Sequence, residues 1–217
     1  MGVPDFEYLY RIRHQPAPMR LLREPKFLAA QDLFFSVVEK LGGSVDFDVA
    51  DMREVHAVAA LGDVKGLRVL DVGCGSTGAY VLEDTFRDRY PPFLAEMLAA
   101  KGALVTGTDI RPNPGAGYEH LVLDSAKPDW VKALTPPYDI VACLSVFNAP
   151  GSPFEHDAAL CDTLLKQMRS LVADGGLLIV TLRDDQSSDQ KRMRTYAQEH
   201  GLAVLHCDKN CGWMTLA

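Results

Sequence analysis

The residues best suited to chemistry lie in Leu70-Asp71-Val72-Gly73-Cys74-Gly75-Ser76-Thr77-Gly78, where a short apolar run passes directly into a glycine-rich turn. Glycines there let the backbone turn tightly and come close to a ligand. Gly73-x-Gly75-x-x-Gly78 also fits the dinucleotide fingerprint, which carries weight only with its strand, helix and distal acid. Asp71, two residues before the first glycine, would oppose a pyrophosphate and suits a cationic or amino-bearing ligand instead. Asp109 and Asp124 each close an apolar run, and read either as ligand-facing carboxylates or as turn formers. Asn148, in Leu144-Ser145-Val146-Phe147-Asn148, is either a reactive side chain or part of a plain loop before a helix. Cys74 and Cys143 read as small buried hydrophobes, and His56 and His120 as structural residues. His206-Cys207-x-x-x-Cys211 offers three metal ligands on a tight hairpin with no fourth, so no metal is expected.

These groups need a scaffold, and the hydrophobic pattern supplies one. Phe27, Leu28, Leu33, Phe34, Val37, Val38 and Leu41 recur at helical spacing before Gly42-Gly43, and Val49, Met52, Val55, Ala59 and Leu61 do so before Gly62. From Arg68 the pattern changes to short apolar runs at 68–72, 103–109, 119–124, 138–144 and 176–182, which read as strands buried on both faces. Helices are expected at Pro91 to Ala100, at Glu155 to Val172 with Ser152 as its N-cap, and at Asp189 to His200. Residues 202–207 and 212–216 suggest a closing antiparallel hairpin. Strands alternating with helices imply an α/β fold, doubly wound around a mostly parallel seven-stranded sheet, with a helical N-terminal extension.

The balance of 22 Lys and Arg against 29 Asp and Glu in 217 residues leaves a formal net charge of −7. That disfavours nucleic acid as partner and favours a small-molecule substrate. Five cysteines without paired spacing suit a reducing, cytoplasmic setting. No stretch approaches the roughly 20 apolar residues that span a bilayer, so no membrane partner is expected.

The turn resembles the first motif of the class I S-adenosylmethionine-dependent methyltransferases, an acid-x-Gly-x-Gly-x-Gly turn after the first strand. Asp71, Gly73 and Gly75 match it; Thr77 stands where the third glycine usually sits and Gly78 is one place late. The resemblance covers roughly residues 66–217. It implies S-adenosyl-L-methionine as cofactor, with contacts from Asp71, Gly73, Cys74 and Gly75. It further implies ribose contacts from Asp109 with Ile110 beside it, adenine contacts from Asp124 and Ser125, and a contact from Leu144. Asn148 then takes the place facing methyl group and acceptor. A fainter likeness of this stretch is to adenine-N1 ribosomal RNA methyltransferases, against which the acidic total weighs.

Asp71 to Asp109 spans 38 positions, against roughly 20 in a compact nucleotide-binding unit, so an insertion is placed at Ala79 to Tyr90. Asp109 to Asp124 spans only 15, and Arg111-Pro112-Asn113-Pro114-Gly115 cannot make a crossover helix. The expected division is a helical extension at 1–65, acting as lid or substrate cover or else as a homodimer interface, and a Rossmann-like domain at 66–217. Tyr8, Tyr10, Arg11 and His14, with Tyr80 and Glu83 from the insertion, are the candidate substrate contacts. The expected activity is methyl transfer to a small molecule. The alternatives are an RNA or protein methyltransferase, a non-catalytic S-adenosylmethionine-binding sensor or partner subunit, and a nicotinamide-dependent oxidoreductase.

Overall fold

The computed structural model describes residues 24–42, 53–76, 91–144, 146–147, 152–154, 157–181, 195, 198–199, 204–207 and 213–216. The chain enters through α1 (Pro25–Lys40), which starts with a proline in its first turn and buries Phe27, Ala30, Phe34, Val37 and Val38 along one face. Next comes α2 (Arg53–Leu61). The apolar spacing of α2 predicts a one-sided helix, yet Glu54 through Leu61 are all buried. Ala57, Ala59 and Ala60 are small enough for α1 and α3 (Phe93–Ala100) to close in on it from different sides.

The strands are β1 (Arg68–Val72), β2 (Leu104–Asp109), β3 (Glu119–Val122), β4 (Tyr138–Cys143), β5 (Val172–Thr181), β6 (Val204–Cys207) and β7 (Trp213–Leu216), each on its expected apolar run except that β5 begins at Val172, four residues before the run expected at 176–182. They form one sheet in the order β3-β2-β1-β4-β5-β7-β6. The five strands β1 to β5 run parallel, and β7 joins β5 and β6 antiparallel. Between β2 and β3, residues 110–118 carry turns and no helix, as the prolines and glycines there require.

Alternation along the strands splits the core into two layers. Val69, Ile140, Ala142, Leu177 and Ile179 face α1, α2 and α3. Leu70, Val72, Val141, Cys143, Leu178 and Val180 face α4 (Ala158–Leu171), together with Trp130, Phe147 and Phe154. Asp71 stands between Leu70 and Val72, so parity sends its side chain to the layer of α1 to α3.

One expected helix start is corrected. The cap of α4 is Asp157, whose Oδ1 accepts from the backbone N–H of Leu160 at 2.9 Å. Ser152 instead holds a loop: its hydroxyl donates to the Val146 carbonyl and accepts from the Phe154 N–H, both at 3.1 Å. Phe154 is buried beside Phe147, ring centroids 6.1 Å apart, and this burial outweighs the local preference of Ser152-Pro153 to begin a helix.

Candidate cofactor-binding site

The ends of β1 and β2 meet where the glycine turn begins. Gly73 has φ +69°, and a Cβ there would lie 2.3 Å from Val146 Cγ2, so both the conformation and the close approach of the segment after β4 demand glycine. The turn is tied to β2 at two points: Cys74 N–H donates to the Thr108 carbonyl at 2.9 Å, and Gly75 N–H to Asp109 Oδ2 at 3.0 Å. Asp109 Oδ1 accepts from the Arg111 N–H at 3.1 Å. Each carboxylate oxygen keeps a lone pair for a further donor, because an ionised carboxylate has about four acceptor positions. The side chain is thus oriented by backbone and still able to receive hydroxyl groups.

Beneath the turn, Asp71 is 2% exposed and accepts from the backbone N–H of Ala95 in the first turn of α3. That helix has Pro92 at its cap position with no side-chain cap, so Asp71, on the face of β1 against which α3 packs, satisfies an orphan donor of that helix. Its Oδ2 is buried with no hydrogen-bond partner among the described residues. Burial, then the like charges of Glu54 and Asp109, push the Asp71 carboxyl up to about 8.

Cys74 directs its thiol into the protein, 3.7 Å from the Tyr118 hydroxyl and 3.7 Å from His120 Nδ1. Tyr118 accepts from Asn113 Nδ2 at 2.8 Å, and His120 Nε2 donates to the Arg111 carbonyl at 2.8 Å. Gly107 makes room for this network, since a Cβ there would lie 2.5 Å from Tyr118 Cε2 and 2.9 Å from Cys74 Sγ. Burial pushes the thiol and the phenol well above their ordinary ranges, so neither is a nucleophile or base at neutral pH.

No protein-family model and no curated protein matches this sequence. Solved structures do match. A magnesium protoporphyrin IX methyltransferase from Synechocystis PCC 6803 is similar with TM-score 0.53 and 20% identity, over 89% of this chain and 96% of that one. A TehB-like S-adenosylmethionine-dependent methyltransferase from Corynebacterium glutamicum gives 0.53 and 15%, over 88% and 97%. The mycinamycin-pathway methyltransferase MycE gives 0.55 and 16%, over 97% of this chain and 62% of that one. The fold is that of the class I S-adenosylmethionine-dependent methyltransferases.

On this methyltransferase fold the sequence-derived positions fall as follows. Asp71, Gly73, Cys74, Gly75 and Asp109 converge at the carboxyl ends of β1 and β2, the edge where open α/β sheets bind ligands. Ile110 follows Asp109 with 53% of its surface exposed, an apolar side chain left open beside the turn. Asp124 and Ser125 follow β3. Asp124 Oδ1 accepts from the Ala126 N–H at 3.0 Å and Oδ2 lies 3.9 Å from Lys127 Nζ, so this carboxylate organises its own turn. Leu144 is 7% exposed and packs in the layer of α1 to α3. Asn148, Tyr8, Tyr10, Arg11, His14, Tyr80, Glu83 and Cys211 lie outside the described residues.

Sequence reasoning passes over Val146, Tyr118, Glu54 and Glu96. Glu96 had a signal: it is the one charge in the run Pro91 to Ala100. The structure shows it 2% exposed, taking Lys40 Nζ of α1 at 2.7 Å and the Gly117 N–H at 3.1 Å. Among the described residues no group of His, Cys, Asp and Glu is placed to hold a metal ion, and no helix is long and apolar enough to cross a membrane.

Proposed function

We propose that this chain transfers the methyl group of S-adenosyl-L-methionine to a small-molecule acceptor. The observation that carries the reading is Asp109: its carboxylate is held by the N–H groups of Gly75 and Arg111 at the edge of the turn and keeps acceptor capacity for the two ribose hydroxyls. The turn backbone at Gly73 to Gly75 offers the close approach the cofactor needs, and Asp71 offers a carboxyl suited to its amino end. Ile110 supplies an exposed apolar surface for the adenine ring, whose amino group Asp124 and Ser125 then border. The bound cofactor supplies an electrophilic methyl on a sulfonium, a very good leaving group.

The protein's task is to hold acceptor, methyl and sulfur in line, and a base is needed only where the acceptor arrives protonated. Buried, neutral Cys74 and Tyr118 offer no such base, which supports catalysis by approximation. The acidic total supports a small-molecule acceptor over nucleic acid. Within the same proposal, Asn148 faces the methyl group and Tyr8, Tyr10, Arg11, His14, Tyr80 and Glu83 meet the acceptor.

Mass spectrometry of copurifying ligand, followed by calorimetry with S-adenosylmethionine, its demethylated product and the nicotinamide dinucleotides, tests the reading. Asp109→Ala is expected to weaken S-adenosylmethionine binding by about 1–3 kcal/mol, the range for hydrogen bonds to a charged acceptor. Unchanged affinity in a folded variant would overturn the assignment. Turnover is then read as methyl transfer to acceptors in extract fractions, and binding without turnover on any of them favours a sensor.

A further inference from the structure

Asp109 is held by two backbone amides, and both lead to one side chain. Oδ1 takes the Arg111 N–H at 3.1 Å, and the carbonyl of that same residue accepts from His120 Nε2 at 2.8 Å. Oδ2 takes the Gly75 N–H at 3.0 Å, and the residue before it, Cys74, sets its thiol 3.7 Å from His120 Nδ1. A carbonyl only accepts, so Nε2 carries the ring hydrogen, and Nδ1 of the neutral ring is left as an acceptor facing the thiol. The two nitrogens of His120 thus reach the two chain segments that orient the two oxygens of Asp109.

The surrounding elements account for this reach. His120 stands opposite Gly107 in the register of β2 and β3, and the missing side chain there leaves the space that the Cys74 thiol and the Tyr118 ring fill. The Tyr118 ring lies edge-on to His120, centroids 6.2 Å apart, and its hydroxyl, held by Asn113, meets the same thiol at 3.7 Å. Residues 110–118 carry no helix. No helical turn therefore fixes the Arg111 peptide after β2, and a side chain from the next strand takes that task.

We propose that His120 is a positioning residue for the cofactor: it brackets the Arg111 carbonyl and the Cys74 thiol, and through them aims the Asp109 carboxylate at the ribose hydroxyls. The bracket rests on the proposed cofactor and deepens it, adding a residue of β3 that acts through these two supports.

The probes are the demethylated product and its analogue lacking both ribose hydroxyls, titrated by calorimetry. Wild type is expected to bind the hydroxyl-bearing product at least about tenfold more tightly. His120→Phe keeps a ring beside Tyr118 and has no nitrogen. It should lose about three- to tenfold in affinity for the hydroxyl-bearing product, the worth of an ordinary hydrogen bond, and nothing for the analogue. His120→Gln, whose side-chain amide can donate to the Arg111 carbonyl, should recover most of that loss. Wild type also gives a reading that needs no variant: nitrogen NMR of the neutral imidazole should find the hydrogen on Nε2. A hydrogen on Nδ1 would overturn the bracket and leave the cofactor reading intact. So would equal losses for both ligands in folded His120→Phe, no loss for either, or no recovery in His120→Gln. Equal binding of both ligands by wild type would overturn Asp109 as the ribose acceptor, and binding of neither would overturn the cofactor reading; the bracket falls with each.

Discussion

Gly73 and Asp71 show how two residues of one motif answer to different forces. Gly73→Ala meets both a φ of +69° and the methyl of Val146, and should cost about 1–3 kcal/mol. In the pair Gly73→Ala with Val146→Ala, the steric part is relieved and about 1–2 kcal/mol of backbone strain remains, measurable by urea denaturation. Full recovery in the pair would show that conformation plays no part. Asp71 acts through its proton. The folded chain holds it up to about 8, whereas the unfolded group releases it near 3.8. The folded state therefore binds more protons across that window, and the stabilisation is full below pH 3.8 and is lost as pH rises toward 8. Asp71→Asn keeps an acceptor for the Ala95 N–H and has no proton to lose. Thermal melts should show wild type losing stability relative to the variant between those limits, and parallel curves would refute the assignment.

Among the elements, α3 has the largest role in shaping the turn region. Asp71 caps its first turn, and Glu96 one residue later along the helix reaches the Gly117 N–H in the segment between β2 and β3. That segment carries Tyr118, which returns to Cys74 and so to the turn. Removing the carboxylate in Glu96→Ala leaves the Gly117 N–H without its acceptor and should cost about 1–3 kcal/mol. Glu96→Gln retains that acceptor and should cost less. The ion pair joins a Lys40 side chain that is 52% exposed to a Glu96 side chain that is 2% exposed, so water screens it at the lysine end only. Hydrogen exchange at Gly117 is expected to quicken in the alanine variant and to change far less in the glutamine one; equal acceleration in both would assign the effect to the charge instead.

Across the molecule, residues of 27–38 and 55–64 share a core layer with β1, β4 and β5. Phe34 of α1 is fully buried, its ring centroid 4.8 Å from that of Phe93, and Phe34→Ala should cost about 3–5 kcal/mol. Trp130 lies in the opposite layer. In a Trp213→Phe background, where it is the remaining one of 2 tryptophans, its fluorescence reports whether both layers unfold together. The denaturation midpoint read from Trp130 is expected to fall with Phe34→Ala as far as the helical signal does. A Trp130 midpoint that stays put would mark the N-terminal helices as a separately folding unit.

Strand positions, the parallel order of the first five strands and the convergence of Asp71, Gly73, Gly75 and Asp109 were legible in the chain because each rests on local pattern: apolar runs buried on both faces, and turn residues at the ends of strands. The absent helix between β2 and β3 was legible for the same reason, since prolines act through their own backbone. The start of α4 was not, because burial of Phe154 against Phe147 decides it and neither ring advertises its partner. Nor was the environment of Asp71. Its proton, its bond to α3 and its nearness to Glu54 arise only when elements distant in sequence exclude water from one point, and desolvation is a property of the packed layer.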